Sequence, residues 1–141
     1  MESQYLFTYG TLMRDYYNHE RMQMSSFCEY VGRGQTVEKG MMFCNFIPYV
    51  KLCEYSNSYP IQGEVYSLTT DDFLLQLDAL ELPAGYKRVQ VRVTMESGDT
   101  VQAWMYAVKR EKEIYEEKSG DFRVYVETKL SESERKEMKK C

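Results

Sequence analysis

The chain has 141 residues, a formal net charge of −4, 43% hydrophobic residues and 28% charged residues. This length and balance predict one soluble globular domain over residues 1–141. The acidic charge argues against nucleic-acid binding, because phosphate contacts need a basic surface. No apolar run approaches the ~20 residues of a membrane span. The N-terminus lacks the features of a secretory signal, so we expect a cytoplasmic protein with reduced thiols.

The sequence offers few residues for metal or triad chemistry. His19 is its one histidine, so a His-rich zinc site is excluded and a Ser-His-Asp triad could form only around it. None of the four cysteines has C-x-x-C spacing. A metal site of His19, Cys44 and Cys53 is conceivable, although cysteines in apolar strand-like segments more often pack as small hydrophobic residues. Carboxylates, tyrosines and backbone groups are the expected carriers of any chemistry.

The first half of the chain predicts several strands and one helix. Residues 5–9 form an aromatic-rich strand that ends at Gly10. Residues 15–25 are polar with helical spacing, which predicts a helix. Further strands are predicted over residues 27–31, 37–44, 49–55 and 62–68, with turn or bulge points at Gly32, Gly34 and Gly40.

The second half predicts a helix followed by a hairpin. Thr69 or Thr70 can cap the helix, its leucines repeat every three or four residues, and Pro83 ends it by disfavouring helical geometry at the preceding residue. Valines then alternate with polar residues over 88–94, and residues 101–108 return as the partner strand after a turn at residues 97–99.

The C-terminal segment predicts three short elements. Residues 110–118 are charged and predict a short helix, and residues 122–126 predict a strand or an extended segment. Ser131 and Glu134 form a capping box for a solvated C-terminal helix over residues 131–141. In total, about seven strands and two or three helices without regular alternation predict an α+β fold, a mixed barrel or strongly curved sheet with flanking helices.

Two local features could carry chemistry. Tyr9-Gly10-Thr11-Leu12 follows the first strand, and a glycine there lets successive backbone N–H groups converge on an anion; a simple tight turn is the alternative. Asp78 and Glu81 end an otherwise apolar helix. Such carboxylates usually decorate a solvated surface, but a glutamate facing a cavity would have its pKa raised by desolvation, as a general acid or base needs.

Tyrosines form a third, diffuse candidate group, and His19 a fourth. Most tyrosines in or beside strands are core or rim residues, but one or two could line a pocket; the candidates are Tyr66, Tyr86, Tyr106 and Tyr125. For His19, on a polar predicted helix, an exposed, capping or hydrogen-bonded role is favoured over catalysis.

Seven segments stand in an order that is specific as a set. They read FTYGTL (7–12), NH (18–19), GEVY (63–66), LDALE (77–81), GYKR (85–88), AWMY (103–106) and SGDF (119–122). This set resembles the gamma-glutamylcyclotransferase-like superfamily, which includes the gamma-glutamylamine cyclotransferases. One position departs from it: many members have glycine directly after the catalytic glutamate, where this chain has Leu82-Pro83.

The resemblance implies a function and a site. Family enzymes cyclise a gamma-glutamyl group to 5-oxoproline and release an amine or amino acid. By this resemblance Glu81 is the single general acid/base, the backbone N–H groups of Gly10, Thr11 and Leu12 hold the glutamyl end of the substrate, and Tyr9 and Tyr86 shape the pocket. Asp78 is expected to be structural. No metal or organic cofactor is implied, and the released amine and the oligomeric state stay open.

Two other functions remain alternatives at this point. The altered Leu82-Pro83 segment is compatible with a non-catalytic module that binds a small carboxylate ligand, and a structural or interaction domain would need no pocket. The enzyme hypothesis requires the Glu81 carboxylate to face a cavity next to the Gly10–Leu12 backbone.

Overall fold

The elements of the computed structural model, which describes residues 4–108 and 114–139, account for most of the chain. In chain order they are β1 (Tyr5–Thr8), α1 (Tyr17–Arg21), α2 (Met24–Phe27), β2 (Cys28–Thr36), β3 (Gly40–Asn45), β4 (Ile47–Leu52), β5 (Gln62–Leu68), α3 (Asp72–Glu81), β6 (Tyr86–Met95), β7 (Thr100–Val108), β8 (Tyr115–Glu116), α4 (Phe122–Lys129) and α5 (Glu132–Met138). A short 3-10 helix, Leu82–Ala84, joins α3 to β6.

Five strands close into a barrel in the order β1-β5-β2-β6-β7, and β4, β3 and β8 form a separate three-stranded sheet. The barrel closes where β1 runs parallel to β7, with Leu6 opposite Trp104, while the other barrel pairs are antiparallel. This architecture confirms the expected α+β barrel.

The alternation in β6 and β7 fills the barrel. Val91 and Val93 are buried while Arg92 between them is exposed, and Ala103 and Met105 face the same core cluster from β7. A second cluster lies outside the barrel wall, where Phe73, Leu74 and Leu77 of α3 pack against Leu6 and Tyr66. Burial of its apolar face holds α3, and with it Glu81, against the barrel.

The prediction of one continuous helix over residues 15–25 is wrong. The chain forms α1 and α2 instead, because Gln23 between them has a φ of 56° in the left-handed region. The break lets Met24 turn inward, where it is fully buried in the α3 cluster. Tertiary packing of one side chain thus overrides the helical spacing.

The predicted boundaries of strands β2, β3 and β4 also change. Residues 28–36 form one strand that passes through both glycines, with the predicted bulge at Gly32, where the register with β5 shifts. The next strand begins only at Gly40, and the strand predicted over 49–55 runs from Ile47 to Leu52.

Neither Thr69 nor Thr70 caps α3, since Asp71 precedes the helix and the Thr69 hydroxyl donates to the carbonyl of Phe27 at 2.7 Å.

The C-terminal segment corrects two predictions. Within the predicted helix over 110–118, Tyr115 and Glu116 pair with β3 as a strand, and residues 109–113 lie outside the described residues. The predicted strand over 122–126 is a helix, α4, because the Asp121 side chain accepts the Arg123 N–H and because Phe122, Tyr125 and Val126 are buried at helical spacing.

The Ser131–Glu134 capping box is present and begins α5. That helix ends at Met138, a fully buried side chain, so one end of it docks on the core rather than lying in solvent throughout. Residues 140–141 lie outside the described part of the chain. Across residues 4–108 and 114–139, none of the helices is both long and apolar enough to traverse a membrane.

Candidate active site

A cavity of about 190 Å³ opens where β1 ends and α3 ends. Its walls come from β1 and the loop after it, α1, the start of β4, the end of α3 with the 3-10 helix, and β6 and β7. The lining residues are Phe7, Thr8, Tyr9, Gly10, Thr11, Leu12, Tyr17, Asn18, Ile47, Pro48, Leu80, Glu81, Ala84, Tyr86 and Tyr106. The set includes the six residues that the family resemblance assigns to catalysis and substrate binding, namely Glu81, Tyr9, Gly10, Thr11, Leu12 and Tyr86.

Glu81 is the one acidic or basic side chain among the cavity-lining residues. It ends α3, and burial raises the pKa of its carboxyl from 4.5 to about 7. Within residues 4–108 and 114–139, no hydrogen bond or ion pair engages this carboxylate. The group can therefore exist in both protonation states near neutral pH, as proton transfer requires.

The segment over residues 9–13, which we name the cradle loop, lines the same cavity as Glu81 through Tyr9 to Leu12. A turn closes it, with the Met13 N–H donating to the Gly10 carbonyl at 3.0 Å. Gly10 is required by space: a Cβ there would lie 2.7 Å from Cγ of Pro48. In the described chain, the N–H groups of Gly10, Thr11 and Leu12 donate to no protein acceptor. They are free to bind an anionic or carbonyl oxygen.

Helix α1 holds the cradle loop from one side. Asn18 Nδ2 donates to Thr11 Oγ1 at 2.8 Å, and His19 Nδ1 lies 2.9 Å from the Leu12 carbonyl oxygen. His19 does not line the cavity, in keeping with the favoured hydrogen-bonded role. The conceivable metal site of His19, Cys44 and Cys53 does not form, and among the described residues no three His, Cys, Asp or Glu side chains are arranged for a metal ion.

Two tyrosines fix the walls of the cavity beside Glu81. The Tyr9 hydroxyl donates to the Tyr106 carbonyl at 2.6 Å, and the Tyr86 hydroxyl donates to the Pro48 carbonyl at 2.7 Å. Burial raises the pKa of both tyrosines; for Tyr86 the negative charge of Glu81 is the next cause, and for Tyr9 it follows the contribution of Tyr86. Both hydroxyls therefore stay protonated and act as donors that hold the walls.

Asp78 lies one turn before Glu81 and outside the cavity. Its Oδ1 accepts the Tyr106 hydroxyl at 2.7 Å and Arg88 Nε at 3.0 Å, and its Oδ2 accepts Arg88 Nη2 at 3.2 Å. The Arg88 guanidinium in turn lies 4.4 Å from the Trp104 ring centroid. The expected structural role of Asp78 therefore has a concrete basis, since it fastens the end of α3 to β6 and β7.

Sequence reasoning missed several of the cavity residues. Of the four tyrosines considered, Tyr86 and Tyr106 line the cavity, whereas Tyr66 and Tyr125 do not. Tyr17 and Leu80 were not foreseen; no local pattern distinguishes them from core residues. Their elements reach the cavity only through the closure of the barrel, which no short segment encodes.

Comparisons with known proteins agree with one another. The family model described as "Gamma-glutamyl cyclotransferase, AIG2-like" matches residues 6–124. A Methanocaldococcus jannaschii protein named "Putative gamma-glutamylcyclotransferase MJ1514" is 37% identical over 123 residues, which cover 86% of this chain and 98% of that protein. A similarly named Drosophila melanogaster protein, CG2811, is 33% identical over 110 residues, covering 74% of this chain and 69% of that one.

Solved structures share the fold. The crystal structure of an AIG2-like protein from Mus musculus superposes with a TM-score of 0.66 and 28% identity, covering 80% of this chain and 82% of that one. An uncharacterized Pyrococcus horikoshii protein superposes with a TM-score of 0.67 and 21% identity, covering 89% and 95%.

Proposed function

This chain belongs to the AIG2-like gamma-glutamyl cyclotransferase family, and from that premise we propose that it is an enzyme. Its reaction converts a small gamma-glutamyl amine or peptide to 5-oxoproline and releases the amine. The observation that carries this proposal is the placement of Glu81, whose pKa is raised to about 7, in one cavity with the unpaired N–H groups of the cradle loop.

The proposed reaction is an intramolecular amide exchange. The α-amine of the substrate attacks its own γ-carbonyl carbon, a new C–N bond closes the five-membered ring, and the bond to the leaving nitrogen breaks. The nucleophile and the carbonyl belong to one molecule, so holding the folded-back conformer supplies much of the rate. The protein then needs to bind the glutamyl end and to move one proton.

Glu81 is the proposed proton carrier. Its carboxylate takes a proton from the α-amine and returns it to the leaving nitrogen, so the enzyme ends each turnover as it began. A carboxyl with a pKa of about 7 is matched to both steps near neutral pH, because it neither holds the proton too tightly nor resists accepting it.

The cradle loop and the two tyrosines are proposed to bind and orient the substrate. The N–H groups of Gly10, Thr11 and Leu12 hold the glutamyl end as hydrogen-bond donors without a charged side chain. Tyr9 and Tyr86, held by backbone carbonyls, keep the substrate folded toward Glu81. Ile47 and Pro48 at the start of β4 also line the cavity, and we propose that they contact the group that is released.

We also propose that the chain acts as one domain in the cytoplasm. One core cluster combines Phe7 from the first strand with Phe122 and Met138 from the last helices, which supports a single folding unit. Cys28 and Cys44 are buried free thiols, and burial raises the pKa of Cys28 to about 12, so it packs as an unreactive thiol. Such thiols are usual in a reducing compartment.

The test is release of 5-oxoproline from a panel of gamma-glutamyl amino acids, gamma-glutamyl amines and gamma-glutamyl peptides. We expect turnover of at least one class without added metal or cofactor. Saturable binding of these compounds in calorimetry with no 5-oxoproline formed would contradict the enzyme and would support the non-catalytic binding module.

A further inference from the structure

Glu64 is a buried carboxylate that the proposed reaction does not use. It lies on β5, is 3% exposed, and is not among the residues that line the cavity. A buried carboxylate is costly unless its oxygens are hydrogen bonded. Its Oε1 accepts the Arg14 backbone N–H at 2.9 Å and the Tyr66 hydroxyl at 2.8 Å.

The partners of Glu64 bracket the cradle loop. Thr8, the last residue before the loop, pairs with Glu64 in the ladder between β1 and β5. Arg14, the first residue after the loop, donates its N–H to the Glu64 side chain. One residue of the barrel therefore holds the chain both where the loop leaves β1 and where it returns.

The backbone beyond Arg14 indicates that this attachment is needed. Asp15 has a φ of 77°, a conformation that costs free energy for a non-glycine residue and persists where neighbouring contacts impose it. The Arg14 guanidinium is half exposed, lies 3.6 Å from the Tyr30 ring centroid, and has its Nε 3.6 Å from Glu64 Oε2. An ion pair that is so exposed and so long stabilises little, which leaves the backbone N–H as the main link.

We propose that Glu64 is a positioning residue for the substrate site: its carboxylate, acting through the Arg14 N–H, fixes the cradle loop so that the N–H groups of Gly10, Thr11 and Leu12 converge on one point. The role in catalysis rests on the proposed function. If the loop holds the α-carboxylate of the glutamyl group, which neither forms nor breaks a bond, loosening the loop weakens binding more than it slows the chemical step.

Two substitutions break the link in different ways, and a third is the control. Glu64→Leu removes the acceptor and replaces it with an apolar side chain of similar size. Glu64→Asp keeps the charge but shortens the side chain by one methylene, so that it no longer reaches the Arg14 N–H. Arg14→Met removes the guanidinium and leaves the backbone N–H in place, which separates the hydrogen bond from the ion pair.

The first readout is amide hydrogen exchange in the whole protein without substrate. In Glu64→Leu and Glu64→Asp we expect the Met13 and Arg14 amides to exchange at least ~10-fold faster than in the wild type, with the amides of β6 and β7 unchanged. In Arg14→Met, the exchange rate of the Met13 amide should stay within about 3-fold of the wild-type rate.

The second readout is kinetic. In both Glu64 variants KM for the turned-over gamma-glutamyl compound should rise at least ~10-fold, with kcat within about 3-fold of the wild-type value. If the wild type turns over no gamma-glutamyl compound, the proposed function fails, and the exchange data still decide whether Glu64 fixes the loop.

Three results would overturn the inference. Wild-type exchange at Met13 and Arg14 in both Glu64 variants would mean that the loop is held elsewhere. Equally faster amide exchange in Arg14→Met would mean that the ion pair, and not the backbone hydrogen bond, holds the loop. Loss of protection throughout β6 and β7 would make Glu64 a residue of the barrel fold rather than of the site.

Discussion

The two sides of the end of α3 carry carboxylates of opposite character, only three residues apart. On the barrel side, Asp78 accepts hydrogen bonds from Tyr106 and Arg88. On the cavity side, Glu81 has a pKa raised to about 7 by burial alone. The difference teaches that the environment decides which carboxylate is an anchor and which can carry protons, since both are ordinary acidic residues in the sequence.

The largest expected effect comes from the cavity side. We expect Glu81→Gln to lower kcat by at least ~10²-fold, because the variant keeps the shape of the side chain but cannot carry a proton. KM should change much less. The measurement is 5-oxoproline release over a range of substrate concentrations, with circular dichroism as the control that the fold is intact. Wild-type kcat in this variant would remove Glu81 from the mechanism.

On the barrel side the main loss should be stability. Asp78→Ala leaves the partly buried Arg88 and Tyr106 donors without their acceptor, so we expect the free energy of unfolding to fall by about 2–3 kcal/mol. The measurement is urea denaturation, and activity at saturating substrate should fall less than in Glu81→Gln. Asp78→Asn, which keeps one acceptor oxygen, is the matched control and should lower the free energy of unfolding by less than Asp78→Ala does. If Asp78→Ala lost as much kcat as Glu81→Gln with an unchanged unfolding free energy, the two roles would have to be exchanged.

A smaller change isolates one bond of the anchor. Tyr106→Phe removes the hydroxyl that donates to Asp78 but keeps the Tyr106 carbonyl, which accepts the Tyr9 hydroxyl. We expect a loss of about 1 kcal/mol in the free energy of unfolding, and Tyr9→Phe is the control for the other bond. A loss near zero in chemical denaturation would mean that Arg88 alone satisfies Asp78.

Glu81 also contributes a pH dependence to the stability of the fold. The pKa of Glu81 is raised in the folded state, so between about 4.5 and 7 the folded protein binds the proton more tightly than the unfolded chain does. The free energy of unfolding contributed by this group is therefore full below pH 4.5 and is lost as the pH rises through 7. The measurement is chemical denaturation of the wild type and of Glu81→Gln at pH 5 and pH 8. Relative to Glu81→Gln, the wild type should have a lower free energy of unfolding at pH 8 than at pH 5. Parallel pH profiles of the two proteins would contradict this prediction.

The sequence predicted the barrel strands well where the pattern was local. The alternating valines of β6 and the turn at residues 97–99 specify a hairpin on their own. The predictions were wrong where packing decides, as at Gln23, whose left-handed backbone serves the burial of Met24. The helix over Phe122–Lys129 had a usable signal in the Asp121 cap and in the spacing of its buried residues, which the strand prediction overlooked.

In the candidate site, too, some residues could be identified from the sequence and others only from the long-range packing. Glu81 and the cradle loop were found because a resemblance linked them across seventy residues, and the structure then brought them to one cavity. The role argued for Glu64 was not foreseeable, because it depends on a side chain of β5 reaching the backbone after β1. Tyr17 and Leu80 line the cavity only through the closed barrel, a long-range arrangement that no segment of the sequence encodes.

The most direct test of this account is the titration of the Glu81 carboxyl in the wild-type protein, followed by NMR of ¹³C-labelled glutamate and assigned by the signal that Glu81→Gln lacks. We expect a midpoint of about 7, coinciding with the pH at which kcat/KM falls on the acidic side, because the free enzyme needs the ionised carboxylate to accept the amine proton. A midpoint near the ordinary 4.5 would contradict the claim that burial tunes Glu81 for proton transfer.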